Sequence, residues 1–264
     1  MADVAGKGLF SVKTVCIVTG GSRGIGRSIT VNFASKFPPG SLLIALSRDV
    51  EQLTVTKTLS TKANPAVLSV THAFDQGTLD QQKYEKLFQD TLQGRRASDF
   101  QQAMIVHNAG SVGSEFCRNL TDVSQVSQYL NVNLAGLIAL NAQFMQVFKD
   151  VPSKVAVNIS SGAVNRPVAS WGLYCSGKVF REMFMRTLAL EQPNIRVLSY
   201  DPGPVDTKMF HTEGIQETKA EEHVQALRAM AKKLLAPDTT VDRLIAILEK
   251  NVFESGCHIS YFDD

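Results

Sequence analysis

Tyr174 and Lys178 stand four residues apart in the segment SSGAVNRPVASWGLYCSGK, residues 160–178. That spacing puts both side chains on one face of a helix. A phenol ordinarily titrates near pH 10, too high for acid–base work at neutrality. A neighbouring ammonium, joined by a nicotinamide ring that is positive when oxidised, is expected to lower it. Ser161, thirteen residues before Tyr174 and at the end of an apolar run, could hold a substrate oxygen. Tyrosine and lysine at this spacing arise by chance in many helices. With a serine at the C-terminal end of a strand, where open α/β sheets bind their ligands, chance becomes an unlikely explanation.

A second chemical signal lies near the N-terminus in TVCIVTGGSRGIG, residues 14–26. An apolar, β-branched run breaks into Gly20, Gly24 and Gly26 just where a helix should begin. The alternative is a plain glycine-rich turn. At a strand-to-helix junction, however, each glycine has a task. Gly20 permits the sharp turn, Gly24 lets a pyrophosphate approach the backbone, and Gly26 allows close helix packing. The helix N-terminus then offers free N–H groups to the anion. The whole loop, Gly20, Gly21, Ser22, Arg23, Gly24, Ile25 and Gly26, is therefore expected to bind a dinucleotide. The spacing is GxxxGxG rather than GxGxxG, a loop one residue longer. At the end of the second apolar run stand Arg48 and Asp49. Two guanidiniums, Arg23 and Arg48, suit a 2′-phosphate and favour NADP(H), while Asp49 keeps NAD open.

These groups need elements to hold them. Apolar or β-branched runs recur at 14–19, 41–47, 66–74, 103–108, 154–160, 195–201 and 257–262. Between them, helical spacing covers roughly 24–36, 49–62, 79–94, 122–149, 171–191 and 237–250. Continuously apolar strands alternating with helices predict an α/β fold: a Rossmann-type, doubly wound, mostly parallel seven-stranded sheet with helices on both faces. One domain over 1–264 is expected. The polar stretch 208–236 reads as an insertion of the kind that forms lids or mobile surface.

Composition limits the partners. Of 264 residues, 44% are hydrophobic and 20% charged, and the net charge is +2, a globular profile with no footprint for nucleic acid or acidic membrane. Cys16, Cys117, Cys175 and Cys257 are scattered and form no metal-like cluster with the five histidines, so reduced thiols and no metal are expected. MADVAGKGLFSVK, at the start, lacks the apolar core of a signal peptide, and no later run could span a bilayer. A cytosolic location is the default.

TGGSRGIG, HNAG (107–110), NVN (131–133), NISS with YCSGK, and DPGPVDT (201–207), in this order along nearly the whole chain, resemble the short-chain dehydrogenases/reductases. The resemblance implies Tyr174 as proton donor, Ser161 as carbonyl orienter and Lys178 as ribose ligand that lowers the tyrosine pKa. It implies that Asn133 holds a water in the proton relay. Asp75 would lie at the adenine, with Gln76 also on the cofactor, Asn108, Ala109 and Gly110 under it, and Val205, Asp206 and Thr207 beside the nicotinamide. Trp171, Gly203 and Met209 would line the substrate site with Ser161 and Tyr174. One departure is His107, where the family usually has asparagine, a matter of strand support.

SWGLYCSGK, LALEQPNIRVLSYDPGPVDTKM and SGCHISYFDD look like members that reduce pterin side-chain carbonyls with NADPH in the last steps of tetrahydrobiopterin synthesis. Those are cytosolic homodimers built on two long helices, here 122–149 and 171–191. Leu134, Leu137, Ile138, Leu140, Phe144 and Val147 on the first could serve a dimer face or equally the core. Pterin-reducing members end in a pattern like His-Val-Asp-Phe-Tyr-Asp, whose first aspartate anchors the pterin. Alignment on His258 puts Ser260 there, implying a weaker anchor unless the chain bends after Phe262 and brings in Asp263. A broader dicarbonyl or quinone reductase, and a nucleotide sensor without chemistry, remain alternatives.

Overall fold

The first strand explains its own composition. Thr14–Thr19 (β1) is buried along all six residues, because helices cover both faces of the sheet it centres. The computed structural model describes residues 8–263; the expectations on residues 1–7, among them the reading of the N-terminal stretch, and on residue 264 lie outside them. Around β1 run Leu42–Ser47 (β2), Leu68–Ala73 (β3), Gln102–His107 (β4), Ser153–Ile159 (β5), Ile195–Asp201 (β6) and Cys257–Ser260 (β7). Their order is β3-β2-β1-β4-β5-β6-β7, and every neighbouring pair is parallel. The sheet is thus wholly parallel where a mostly parallel one was expected.

The helices are Gly24–Lys36 (α1), Val50–Ala63 (α2), Gln81–Thr91 (α3), Val123–Leu130 (α4), Gly136–Val147 (α5), Gly172–Glu191 (α6), Glu221–Met230 (α7) and Pro237–Lys250 (α8). One apolar core joins Ile29, Phe33, Val241, Leu244 and Leu248 to one sheet face; the other joins Leu87, Phe88, Leu140, Phe144 and Met185 to the opposite face. The chain winds outward from β1 to β3 and then returns to β4. The crevice between β1 and β4 is the switch point where such sheets take ligands.

Two expectations change. The helix expected over 122–149 is split by five π-helical residues, Asn131–Ala135. The cause is Asn133, which turns inward and donates to the Tyr129 carbonyl at 3.0 Å and to Ser111 Oγ at 3.1 Å. Periodicity alone cannot register one extra residue in a turn. The strand expected over 257–262 ends at Ser260, because Tyr261 and Phe262 turn and Asp263 N–H returns to the Ser260 carbonyl at 3.1 Å. The stretch 208–236 is ordered as a π turn, Phe210–Gln216, followed by α7.

Candidate active site

The glycine loop lies at the switch point. Gly20 and Gly24 have φ of +66° and +52°, the left-handed region that glycine enters without strain. A Cβ at Gly26 would run into the Gly20 carbonyl and the Asn108 amide, so the helix can seat here only on a glycine. Asn108 holds the loop in place. Its side-chain amide donates to the Thr19 and Gly20 carbonyls at 2.9 and 3.3 Å and staples β4 to the loop. Asp49, Asp80 and Asp122 cap α2, α3 and α4, whereas α1 has no side-chain cap and no acid in its first turn. Its first N–H groups are thus left for an anion. Thr207 faces Gly24 across this opening, 3.1 Å from where a Cβ would stand.

Arg23 pairs with Asp49, and Arg48 stands exposed beside them. Arg27, to which the sequence analysis gives no role, adds a third guanidinium. It donates to the Ser22 carbonyl and to Gln52 Oε1, the latter at 2.6 Å. Ser22 accepts from Ser47 at 2.8 Å, and Ile25 packs on the core. Asp75 is exposed at the end of β3, where it accepts the Gly77 N–H at 2.9 Å. Gln76 turns the other way: it is buried and donates to the Val132 carbonyl at 2.8 Å. Its side-chain amide thus braces the π-helical stretch.

The three chemical residues do converge. Ser161 follows β5, Tyr174 sits in the first turn of α6, and the Ser161 hydroxyl is one of the groups that act on the phenol. Lys178 Nζ lies 5.5 Å from the Tyr174 ring centre and donates to the Ile159 carbonyl at 2.7 Å. Burial raises the phenol above its ordinary value; the Ser161 hydrogen bond lowers it, Asp201 raises it, and Arg181 lowers it. The balance stays upward, where Lys178 was expected to bring it down. Burial, reinforced by Arg181, in turn holds the Lys178 amine well below the usual range against the pull of Asp201 and Glu182. A raised phenol is a protonated one, the state a proton donor for reduction requires. Asn133 is committed as a brace: both amide hydrogens are spent and its Oδ1 accepts the Ser111 N–H at 3.0 Å. His107 is buried strand support, held neutral with its pKa brought down to about 3 by burial and then by Arg181.

The substrate side is built from the insertion and the C-terminal strand. Trp171 packs edge-on against Tyr174 and donates to Thr218 Oγ1 at 2.8 Å. Glu213 accepts the Val112 N–H at 2.6 Å, so the insertion is tied to both the β4 loop and α6. Met209 precedes the π turn, and Gly203 carries a φ of +69° beneath Phe262. Val205 is buried in a bridge to Leu235, while exposed Asp206 meets His211 at 2.7 Å.

Ser260 brings the largest surprise. It pairs across the sheet with Asp201 and donates to the Asp201 carboxylate at 3.2 Å. That carboxylate, on a residue only 8% exposed, also accepts the Gly203 N–H at 3.1 Å and passes 3.4 Å from the Cβ position of Gly162, next to Ser161. Asp263 does fold back, but onto the Ser260 N–H at 2.7 Å. The charge expected to be missing at 260 is thus supplied one strand over. No spacing in the sequence reveals this, because strand register is not written in spacing. Beside it, Glu182 takes hydrogen bonds from His258 Nδ1, at 2.6 Å, and from Ser160, tying α6 to β7.

Fold and site together define a reductase of the dinucleotide-binding kind, and the chain belongs to the short chain dehydrogenase family, whose model matches residues 14–218. Among its relatives are the sepiapterin reductases. The chain is 33% identical to that of Rattus norvegicus over 255 residues, covering 94% of this chain and 96% of that one. It is 34% identical to that of Xenopus tropicalis, again over 94% and 96%. Benzil reductase ((S)-benzoin forming) of Bacillus subtilis (strain 168) is 27% identical, over 91% of this chain and 95% of that one. Among solved structures, the KRED1-Pglu enzyme superposes with a TM-score of 0.77 at 28% identity, covering 94% of this chain and all of that one.

Proposed function

We propose that the chain reduces side-chain carbonyls of pterins with NADPH, the activity named by its sepiapterin reductase relatives. The observation that carries this reading is the convergence of Ser161, Tyr174 and Lys178 beside the Asp201 carboxylate. NADP(H) suits the groups present: an uncapped α1 N-terminus and Gly24 for the pyrophosphate, and Arg23, Arg48 and Arg27 for a 2′-phosphate. Asp75 would meet the adenine, and the backbone of 108–110 with 205–207 would flank the nicotinamide. When bound, NADPH supplies the hydride.

The protein's own groups do the rest. Ser161 Oγ holds the carbonyl oxygen, and the Tyr174 phenol, protonated at neutral pH, gives that oxygen its proton. Lys178 binds the cofactor ribose. The insertion, held at Val112 and Trp171, shields the centre from water. Asp201, steadied by Ser260, accepts paired N–H donors from an amino-pyrimidine edge. In the second reading, a broader dicarbonyl reductase, Ser260 and Asp201 bear no substrate; the benzil reductase relative favours it.

The two readings part at Asp201. A charge-assisted hydrogen bond is worth about 1.5–3 kcal/mol, so Asp201→Asn should raise KM for sepiapterin by roughly 10- to 100-fold and leave a small diketone within about twofold. An unchanged sepiapterin KM, with a rise in Asp263→Ala instead, would return the anchor to the C-terminus.

We further read the protein as a cytosolic homodimer. Leu137, Leu140 and Phe144 are spent on the core, whereas Ile138 on α5 and Val179, Phe180 and Met183 on α6 are exposed. Large apolar residues grouped on adjacent helices suit a second copy of the chain. Among the described residues no helix is long and apolar enough to cross a membrane.

A further inference from the structure

A cavity of about 330 Å³ lies between the second half of α2 and the start of β3. It opens beneath the N-terminal ends of β2 and β3, whereas Ser161 and Tyr174 stand beyond the C-terminal ends of the parallel strands. The cavity is therefore no part of the reducing centre. Lys57 and Thr61 from α2, Ser69 from β3 and Arg95 from the loop after α3 line it, and no acid does. Lys57 and Thr61 are four residues apart and share one face of their helix. Ser69 pairs in register with Leu43, which packs in the core on the α1 side, so the serine side chain faces the helices α1 and α2.

Two things about these residues are unexplained by the fold. Ser69 is only 5% exposed, and its Oγ has no hydrogen-bond partner among the described residues. A buried hydroxyl left in that state costs free energy and calls for a partner. Lys57 and Arg95, for their part, form no ion pair among the described residues. A third cation stands at the rim: Lys13 Nζ is 3.9 Å from the Cβ position of Gly40, which also lines the cavity. Like charges gathered around a concavity repel one another and raise the potential for an anion inside it. We propose that this cavity is a binding site for a small soluble oxyanion, a phosphate group in particular. Arg95 offers a planar fork for two of its oxygens, Lys57 a point charge, and Ser69 and Thr61 a hydroxyl donor each. The entering anion gives the Ser69 hydroxyl the acceptor it lacks. At its N-cap α2 also carries Asp49, the partner of Arg23, so one helix borders both this cavity and the glycine loop.

Thermal unfolding in inorganic phosphate, against sodium chloride of equal ionic strength, tests the proposal. Saturating NADP+ is present throughout to keep phosphate away from the glycine loop. Tm of the wild type should climb with phosphate concentration, as it does for any ligand that binds only the folded chain. The double variant Lys57→Gln, Arg95→Gln should bind phosphate about 10- to 100-fold more weakly and lose most of that rise. Ser69→Ala should weaken phosphate by about three- to tenfold. In chloride, however, it should be at least as stable as the wild type, because it deletes a hydroxyl that has no partner. Lys62→Gln removes an exposed cation of the same helix outside the cavity and should keep the full rise. No rise in the wild type, or the same rise in all four proteins, would overturn the proposal. If the double variant does not fold, an undiminished rise in Ser69→Ala overturns it equally. The outcome is independent of the carbonyl chemistry: a rise that survives the loss of Lys57 and Arg95 belongs to the glycine loop and counts against this cavity.

Discussion

Tyr174→Phe is expected to lower kcat by about 10²–10⁴ while leaving NADPH binding within about twofold. The substitution removes one oxygen and little volume, and the ring keeps its edge-on contact with Trp171. What is lost is the hydroxyl on which Ser161 acts and the proton itself, and positioned proton transfer contributes roughly that factor. Because burial holds the phenol above its ordinary value, the wild type should remain active well into the alkaline range. Steady-state kinetics with a cofactor titration on the same preparation checks both halves. A variant retaining half the wild-type rate would mean that another group delivers the proton.

Replacing Arg23 and Arg48 together should cost NADPH about 10²–10⁴ in affinity and NADH less than about threefold. Each charge-assisted contact to a 2′-phosphate is worth about 1.5–3 kcal/mol, less where solvent screens it. Both guanidiniums are solvent-accessible, and Arg23 is shared with Asp49, so the lower part of that range is expected at physiological salt. Removing Arg23 also frees Asp49 to accept from an unphosphorylated ribose, which should help NADH. Fluorescence titration of both cofactors decides the matter; an equal loss for both would contradict the assignment.

The sheet was legible because its cause is local. Runs such as residues 14–19 are apolar on both faces, and only a strand covered by helices on both sides uses such a run. The Tyr174–Lys178 spacing was legible for the same reason, since one helical turn is enough to bring the pair together. What escaped depends on distance in sequence. Arg181 carries no signal in its own helix; Asn158, Ala109 and His107, which surround it, come from distant parts of the chain. Asp201 sat in plain view within DPGPVDT, yet its meeting with Ser260 follows from strand register. Gln76 shows the same limit: the π-helical stretch offers its side chain the Val132 carbonyl, an inward partner no periodicity announces. The net electrostatic balance on Tyr174 was likewise hidden, because burial outweighs any neighbour a motif can name.

The central claim is that Ser161, Tyr174 and Asp201 form one carbonyl-reducing site for a pterin. Its most direct measurement is NADPH consumption by the purified protein with sepiapterin and, separately, a small diketone. The account predicts stoichiometric oxidation of NADPH with sepiapterin, a higher kcat/KM for it than for the diketone, and loss of both activities in Tyr174→Phe. Bound NADPH that neither carbonyl oxidises, or turnover of the diketone alone, would contradict it.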